Sequence, residues 1–151
     1  DQDDIMIQDR LKKQVNYLEE NSDIAVLGSQ YSCIDHNGNH LDEMLWPIGI
    51  GNNIYSCITG FSPVGHPGAL IRKNVFEQVG KYDPQYAPAE DYELWLRLLA
   101  NGYRTDNLKE SLTKYRKHGS QTSNLHVSYH SLDEVRLGFS FLVLFQNPQI
   151  L

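Results

Sequence analysis

Pro88-Ala89-Glu90-Asp91-Tyr92-Glu93-Leu94-Trp95-Leu96-Arg97-Leu98-Leu99 is the stretch around which the rest of the chain arranges itself. Two adjacent carboxylates stand ahead of an apolar run that holds a single Arg, and Asn101-Gly102 follows. That order predicts a helix ending near Ala100, stopped by the Asn-Gly pair. Unpaired backbone N–H groups and the helix dipole favour negative charge at such a start. Read locally, Glu90 and Asp91 either cap the helix or hold a general base at its mouth. Trp95 and Leu98 follow on the Asp91 side and are expected to bury that face.

Upstream of this helix, Tyr82-Asp83-Pro84 opens a loop, and Asn74 reads as the N-cap of a short helix, Val75 to Val79, closed by Gly80. Ala69-Leu70-Ile71-Arg72 reads as a short strand, preceded by the Pro- and Gly-rich loop Ser62 to Gly68. Ile50, Ile54 and Ile58 line one face of a further short helix. Ile24-Ala25-Val26-Leu27-Gly28-Ser29 is an apolar run bounded by turn residues, a buried strand that continues through Tyr31, Cys33 and Ile34. Asp35-His36-Asn37-Gly38-Asn39 then turns the chain into a returning strand, His40 to Leu45. Ile7, Leu11, Val15 and Leu18 recur at helical spacing and predict an amphipathic helix from about Ile7 to Glu20 with that stripe on the core. Downstream, Tyr103 to Leu108 and Leu112 to Arg116 read as two short strands, and Val127 to Phe145 as a helix. Helices alternating with short strands and one hairpin predict an α/β domain with a mixed sheet.

Composition narrows the function. At 151 residues, with 40% hydrophobic and 21% charged residues, the chain has one domain's worth of ordinary globular sequence. A net charge of −6 argues against nucleic acid as a partner, which needs clustered Lys and Arg. Two cysteines, Cys33 and Cys57, make neither a disulfide scaffold nor a Cys-based zinc site, and fit buried thiols in a reducing compartment. No apolar run approaches the roughly 20 residues that span a bilayer. The opening, Asp1-Gln2-Asp3-Asp4, carries no secretory pattern and reads as the middle of a longer sequence.

Three groups carry possible chemistry. Asp1-x-Asp3-Asp4 can point carboxylates at one hard cation, or can simply be an acidic terminus that helps start the helix. An EF-hand is excluded, since Gly at the sixth position and Glu at the twelfth are replaced by Met6 and Lys12. An aspartyl-phosphate phosphatase is disfavoured by Ile5, and a metal-dependent phosphotransfer enzyme has only the acidic opening in its support. Glu90-Asp91 is the second group. Tyr115-Arg116-Lys117-His118-Gly119-Ser120 is the third, with His118 a candidate metal ligand and Arg116 a candidate phosphate contact. His66, in Gly65-His66-Pro67-Gly68, is a further candidate for contacting a bound cofactor or donor.

In order along the chain stand Asp-x-Asp-Asp-Ile from Asp1, Arg-Leu-x-x-Gln from Arg10 and Gly-His-Pro from Gly65. Arg-Lys-x-Val-Phe-x-x-Val-Gly-x-Tyr-Asp from Arg72, Glu-Asp-Tyr-x-Leu-Trp-Leu-Arg-Leu from Glu90 and Tyr-Arg-x-His from Tyr115 follow. This succession resembles the family 2 glycosyltransferases of GT-A fold over about Asp1 to Ser123. The resemblance implies transfer of a sugar, with inversion, from a nucleotide-sugar donor to a hydroxyl of a carbohydrate or lipid-linked acceptor. It implies a divalent metal, Mg²⁺ or Mn²⁺, on Asp1 and Asp3, with His118 beside it and Arg116 and His66 toward the donor. Asp91 matches the catalytic base and Glu90 its support, while Trp95 and Arg97 look like scaffold. The family's fold begins with a nucleotide-binding half ahead of Asp-x-Asp, so the expectation is a partial GT-A domain, residues 1–125, with a helical segment, 126–151. Such a portion is expected to bind donor weakly and not to turn over alone. The parent is expected in the cytoplasm, with peripheral association at the inner face of the membrane, making cell-surface polysaccharide or glycoconjugate. The alternative is a non-catalytic module that binds carbohydrate or protein.

Overall fold

From Ile24 to Ile34, β-branched, apolar and small polar residues form one long strand, β2, in which only Ser32 escapes full burial. A strand buried on both faces must sit inside a sheet with packing above and below. In this computed structural model, which describes residues 3–118, β2 is the centre of a five-stranded mixed sheet. The other strands are β1 (Ile5–Met6), β3 (His40–Met44), β4 (Leu70–Ile71) and β5 (Arg104–Arg116). β2 runs parallel to β5 and antiparallel to β3 and β4, which share its other side; β1 lies antiparallel on the far edge of β5. Helices α1 (Arg10–Glu20), α2 (Ile50–Ile58), α3 (Lys73–Val79) and α4 (Glu90–Ala100) complete the order, with single helical turns at His66–Gly68 and Pro84–Tyr86. A parallel pair needs a crossover, and α2, α3 and α4 supply it.

The helix Glu90 to Ala100 is the hub of the larger core, as its composition requires. Tyr92, Leu94, Trp95, Leu96, Leu98 and Leu99 are buried against Ala25 and Val26 of β2, Cys57 of α2 and Val75 of α3. A helix apolar on most sides has to be enclosed. Glu93 is buried too, and is paired bidentately with Arg97, whose guanidinium also donates to the carbonyls of Val79 and Lys81. Both cysteines are free and buried, and burial pushes the Cys57 thiol up to about 12.

The hairpin between β2 and β3 forms as its turn residues require. Asp35 Oδ1 accepts from the N–H groups of Asn37 and Asn39, and Gly38 takes φ 90°. Three expectations are corrected. The two short strands after Tyr103 are one strand, β5, whose register against β2 slips by two residues between Leu108 and Ser111. Exposed Lys109 and Glu110 form the bulge that breaks the apolar pattern. Asn74 is not a cap, since α3 already starts at Lys73. Arg72 precedes it and reaches back to the carbonyls of Ile24 and Leu18. Helix α1 starts at Arg10, after Asp9 in a left-handed conformation, and its buried line is Gln14 and Leu18. Leu11 and Val15 remain 47% and 42% exposed. The expected helix from Val127 to Phe145 and the domain boundary near 125 lie outside the described residues.

Candidate active site

The carboxyl ends of the parallel strands β2 and β5 gather most of the candidates, as is usual for ligand sites in open α/β sheets. Here β5 ends at Arg116, and pairing with β1 brings residue 5 opposite Lys114. That contact carries the acidic segment to the end of β5, where Asp3 Oδ2 lies 3.1 Å from His118 Nε2. Asp4 is engaged differently, its Oδ1 accepting from the Arg116 backbone N–H at 2.9 Å. The Arg116 guanidinium donates to three carbonyls, those of Asp3, Asp35 and His36. It therefore braces the acidic segment against the hairpin turn. Asp1 lies outside the described residues.

Whether these residues fit a hard divalent cation can be judged from the pair itself. One carboxylate oxygen and one imidazole nitrogen from different elements converge within 3.1 Å. The carboxylate suits Mg²⁺ or Mn²⁺, which are held through one or two carboxylates with water and phosphate completing the shell, whereas imidazole is the softer donor of the two. Among the described residues there is no group of three or more His, Cys, Asp or Glu side chains that could hold a metal. Asp3 fits such a partial protein shell through its carboxylate, and His118 stands beside it.

The second cluster forms at the start of α4, which runs back toward Arg104 and so has its N-terminus toward the carboxyl ends of the strands. No side chain caps the helix; Ala89 occupies the cap position, and Glu90 and Asp91 stand in the first turn. Asp91 Oδ1 accepts from the Tyr92 N–H at 2.8 Å. Burial raises the Asp91 pKa from its ordinary value, opposed by the Tyr92 N–H and by His66 and reinforced by Glu90. Among the described residues, Glu90 Oε2 is buried without a hydrogen-bond partner. Tyr92 anchors the same turn by donating its hydroxyl to the Cys57 carbonyl at 2.7 Å. His66, expected beside the donor with Arg116, belongs to this second cluster: its Nε2 lies 3.0 Å from the Tyr82 hydroxyl.

Tyr31 and Arg10 join the two clusters. The Tyr31 hydroxyl accepts from the Gly68 N–H at 2.8 Å, and its ring stacks on Tyr115 at 5.9 Å. Arg10 Nη1 donates to Thr113 Oγ1 at 3.1 Å and to the Pro67 carbonyl at 3.4 Å. Gly65 is required here, because a Cβ would stand 2.3 Å from the Tyr31 hydroxyl oxygen. Tyr31, Arg10 and Tyr82 were not among the expected site residues. Tyr82 is part of the Gly-x-Tyr-Asp motif and Arg10 opens Arg-Leu-x-x-Gln, but neither pattern tells which side chain faces which. A separate cavity lies at the amino ends of β2 and β5, lined by Asp23, Ala25, Arg72 and Tyr103, and it includes none of these groups.

The mixed α/β fold with its mixed sheet is that of a partial GT-A-like domain, and comparison with known proteins agrees. Residues 1–136 match the family described as glycosyltransferase like family 2, and the chain belongs to that family. It is 35% identical over 116 residues to an uncharacterized glycosyltransferase of Methanocaldococcus jannaschii, covering 77% of this chain and 40% of that protein. It is 32% identical over 132 residues to the O-antigen biosynthesis glycosyltransferase WbnJ of Escherichia coli, covering 86% and 50%. A third relative, also of Escherichia coli, is a UDP-Gal:alpha-D-GlcNAc-diphosphoundecaprenol beta-1,3-galactosyltransferase, 26% identical over 141 residues, covering 93% and 50%. The chain thus spans about half the length of the curated relatives it matches, or somewhat less.

Proposed function

We propose that the protein transfers a sugar, with inversion, from a nucleotide-sugar donor to a hydroxyl of a carbohydrate or lipid-linked acceptor. Asp91 is the base. The acceptor O–H gives its proton to the Asp91 carboxylate while the acceptor oxygen bonds to the anomeric carbon. The bond from that carbon to the diphosphate oxygen breaks, and its electron pair leaves with the nucleoside diphosphate. Glu90 supports Asp91 from the same helical turn. Asp3 and His118, together with Asp1, hold Mg²⁺ or Mn²⁺. The metal's contribution when bound is to neutralise charge on the diphosphate. Arg116 braces Asp3 and the turn after β2, fixing where the metal pair stands.

The observation that supports this reading best is Asp91 itself, a carboxylate largely removed from water, held by one backbone N–H, with its proton affinity raised by burial. A general base is effective when its pKa is moved toward the working pH. The diphosphoundecaprenol acceptor in the name of the Escherichia coli galactosyltransferase makes a lipid-linked acceptor the choice we favour. Residues 1–125 are then the acceptor- and metal-side part of a GT-A domain. On that reading the protein acts in the cytoplasm, at the inner face of the membrane, in the assembly of cell-surface polysaccharide. In the full-length protein, Asp91→Asn is expected to lower the transfer rate by about 10²–10⁴-fold while donor affinity stays within about threefold. A variant that keeps a tenth or more of the wild-type rate would overturn the assignment.

A further inference from the structure

From Met44 to Ile71 the sequence holds no Asp, Glu, Lys or Arg, although 21% of the whole chain is charged. Buried sequence often lacks charge, but this stretch is not buried throughout. Leu45 is 74% exposed, Tyr55 68% and Phe61 70%, and Ile48 is exposed as well. A segment that faces outward with apolar and aromatic side chains and no charge marks a contact with something other than water.

The segment is fastened rather than loose. Its two ends meet at Tyr31: the Trp46 ring stands edge-on to it at 5.8 Å, and a Cβ on Gly65 would lie 2.7 Å from Trp46 Cε2. Buried polar side chains of β2 and β5 hold the flanks of α2. Gln30 Oε1 accepts from the Trp46 N–H at 2.6 Å, and Asp106 Oδ1 from the Gly49 N–H at 2.7 Å. Asn107 Nδ2 donates to the carbonyls of Pro47 and Pro63, at 2.7 and 2.8 Å. Phe61 is tied to the end of α2, its N–H donating to the Ser56 carbonyl at 2.9 Å and its carbonyl accepting from the Ser56 hydroxyl at 3.3 Å. Backbone held in this way loses little further freedom when its side chains meet a partner. The same segment stands beside the proposed base, since the Cys57 carbonyl accepts the hydroxyl of Tyr92, the residue after Asp91, at 2.7 Å.

We propose that residues 45–61 form the surface by which the protein docks on a phospholipid bilayer, bringing Asp91 to a lipid-linked acceptor. The inference rests on the lipid-linked acceptor favoured above and adds the surface that reaches it. Leu45, Ile48, Tyr55 and Phe61 enter the headgroup boundary, where aromatic and aliphatic side chains are favoured. A charged side chain among them would hold the segment in water. The chain's net charge of −6 offers no general attraction for anionic lipid, so the docking is apolar and independent of lipid charge.

Co-sedimentation of the full-length protein with phosphatidylcholine vesicles tests this for wild type, Phe61→Ser, Tyr55→Ser and Leu11→Ser. Leu11 is a half-exposed apolar residue of α1, outside the segment, and serves as the control. Phe61→Ser and Tyr55→Ser are each expected to lower partitioning about tenfold, the effect of losing one partly buried aromatic side chain. Leu11→Ser is expected to leave it unchanged. Adding phosphatidylglycerol to the vesicles, or salt to the buffer, is expected to alter wild-type partitioning little. Urea midpoints measured in parallel show that each variant is folded. Equal partitioning of Phe61→Ser and Leu11→Ser would overturn the proposal. So would a wild type that ignores the vesicles, which would mean that another protein segment covers this face. Transfer to a diphosphoundecaprenol-linked sugar without docking would overturn the surface alone. Transfer only to free oligosaccharide would overturn the lipid-linked acceptor and the proposal together.

Discussion

Asp91, the proposed base, shows what burying a carboxylate costs the protein that holds it. Burial raises its affinity for a proton, so over the window between the unfolded and folded pKa values the folded state binds more protons than the unfolded chain. Stability therefore falls as the pH rises through that window, and the full penalty is present once the folded group is ionised. Asn at the same position also has an oxygen to accept the Tyr92 N–H, and carries no charge to bury. Asp91→Asn is thus expected to gain stability relative to wild type as pH rises from the ordinary aspartate pKa through the raised folded one, while losing transfer. Urea midpoints measured across that range check it. A relative stability that stays flat with pH would mean that the folded state does not disfavour the charged carboxylate.

At the scale of elements, α1 and α4 show how the pattern of apolar residues succeeds and fails. Helix α4 was legible because its apolar run is dense enough to require enclosure and because Asn101-Gly102 marks its end. The hairpin was legible because Asp35, Asn37 and Gly38 bond and bend locally, without help from distant residues. Strand β5 was not, because the bulge at Lys109 and Glu110 is set by its partner β2. Helix α1 misleads for a different reason: a polar residue is at its centre. Gln14 is fully buried and its amide donates to the carbonyls of Leu27 at 2.9 Å and Gly68 at 2.8 Å, needs that only the assembled fold creates. Hence Gln14→Ala is expected to destabilise the protein by about 1–3 kcal/mol, the cost of leaving buried acceptors unpaired. Leu11→Ala, on the half-exposed flank, is expected to change stability by about 0.5 kcal/mol or less. Chemical denaturation of both variants decides the matter, and the reverse order would restore the stripe of Leu11 and Val15 to the core.

Across the molecule, the parallel alignment of β2 with β5 is what brings distant stretches of sequence into one place. Asp3 and His118 are far apart along the chain, yet β1 pairing on β5 leaves them 3.1 Å apart. The Asp-x-Asp and Tyr-Arg-x-His motifs were visible in the sequence; their meeting was not, since it depends on an antiparallel edge strand of two residues. The role of Arg116 was equally hidden, because the three carbonyls it braces come from two separate turns. This geometry ties the end of β5, where Asp3 meets His118, to the His66–Gly68 turn through the Tyr31 and Arg10 contacts. It also separates their failures. If Asp3 and His118 hold Mn²⁺ on the donor diphosphate, His118→Ala in the full-length protein is expected to weaken Mn²⁺-dependent nucleoside diphosphate binding by about 10–100-fold, the usual cost of disturbing a metal site. Asp91→Asn is expected to leave that binding within about threefold, because the base acts on the acceptor's proton and not on the diphosphate. Calorimetry with Mn²⁺ and a nucleoside diphosphate separates the two roles. Equal losses in both variants would show that the pair at the end of β5 and the start of α4 do not divide the chemistry in this way.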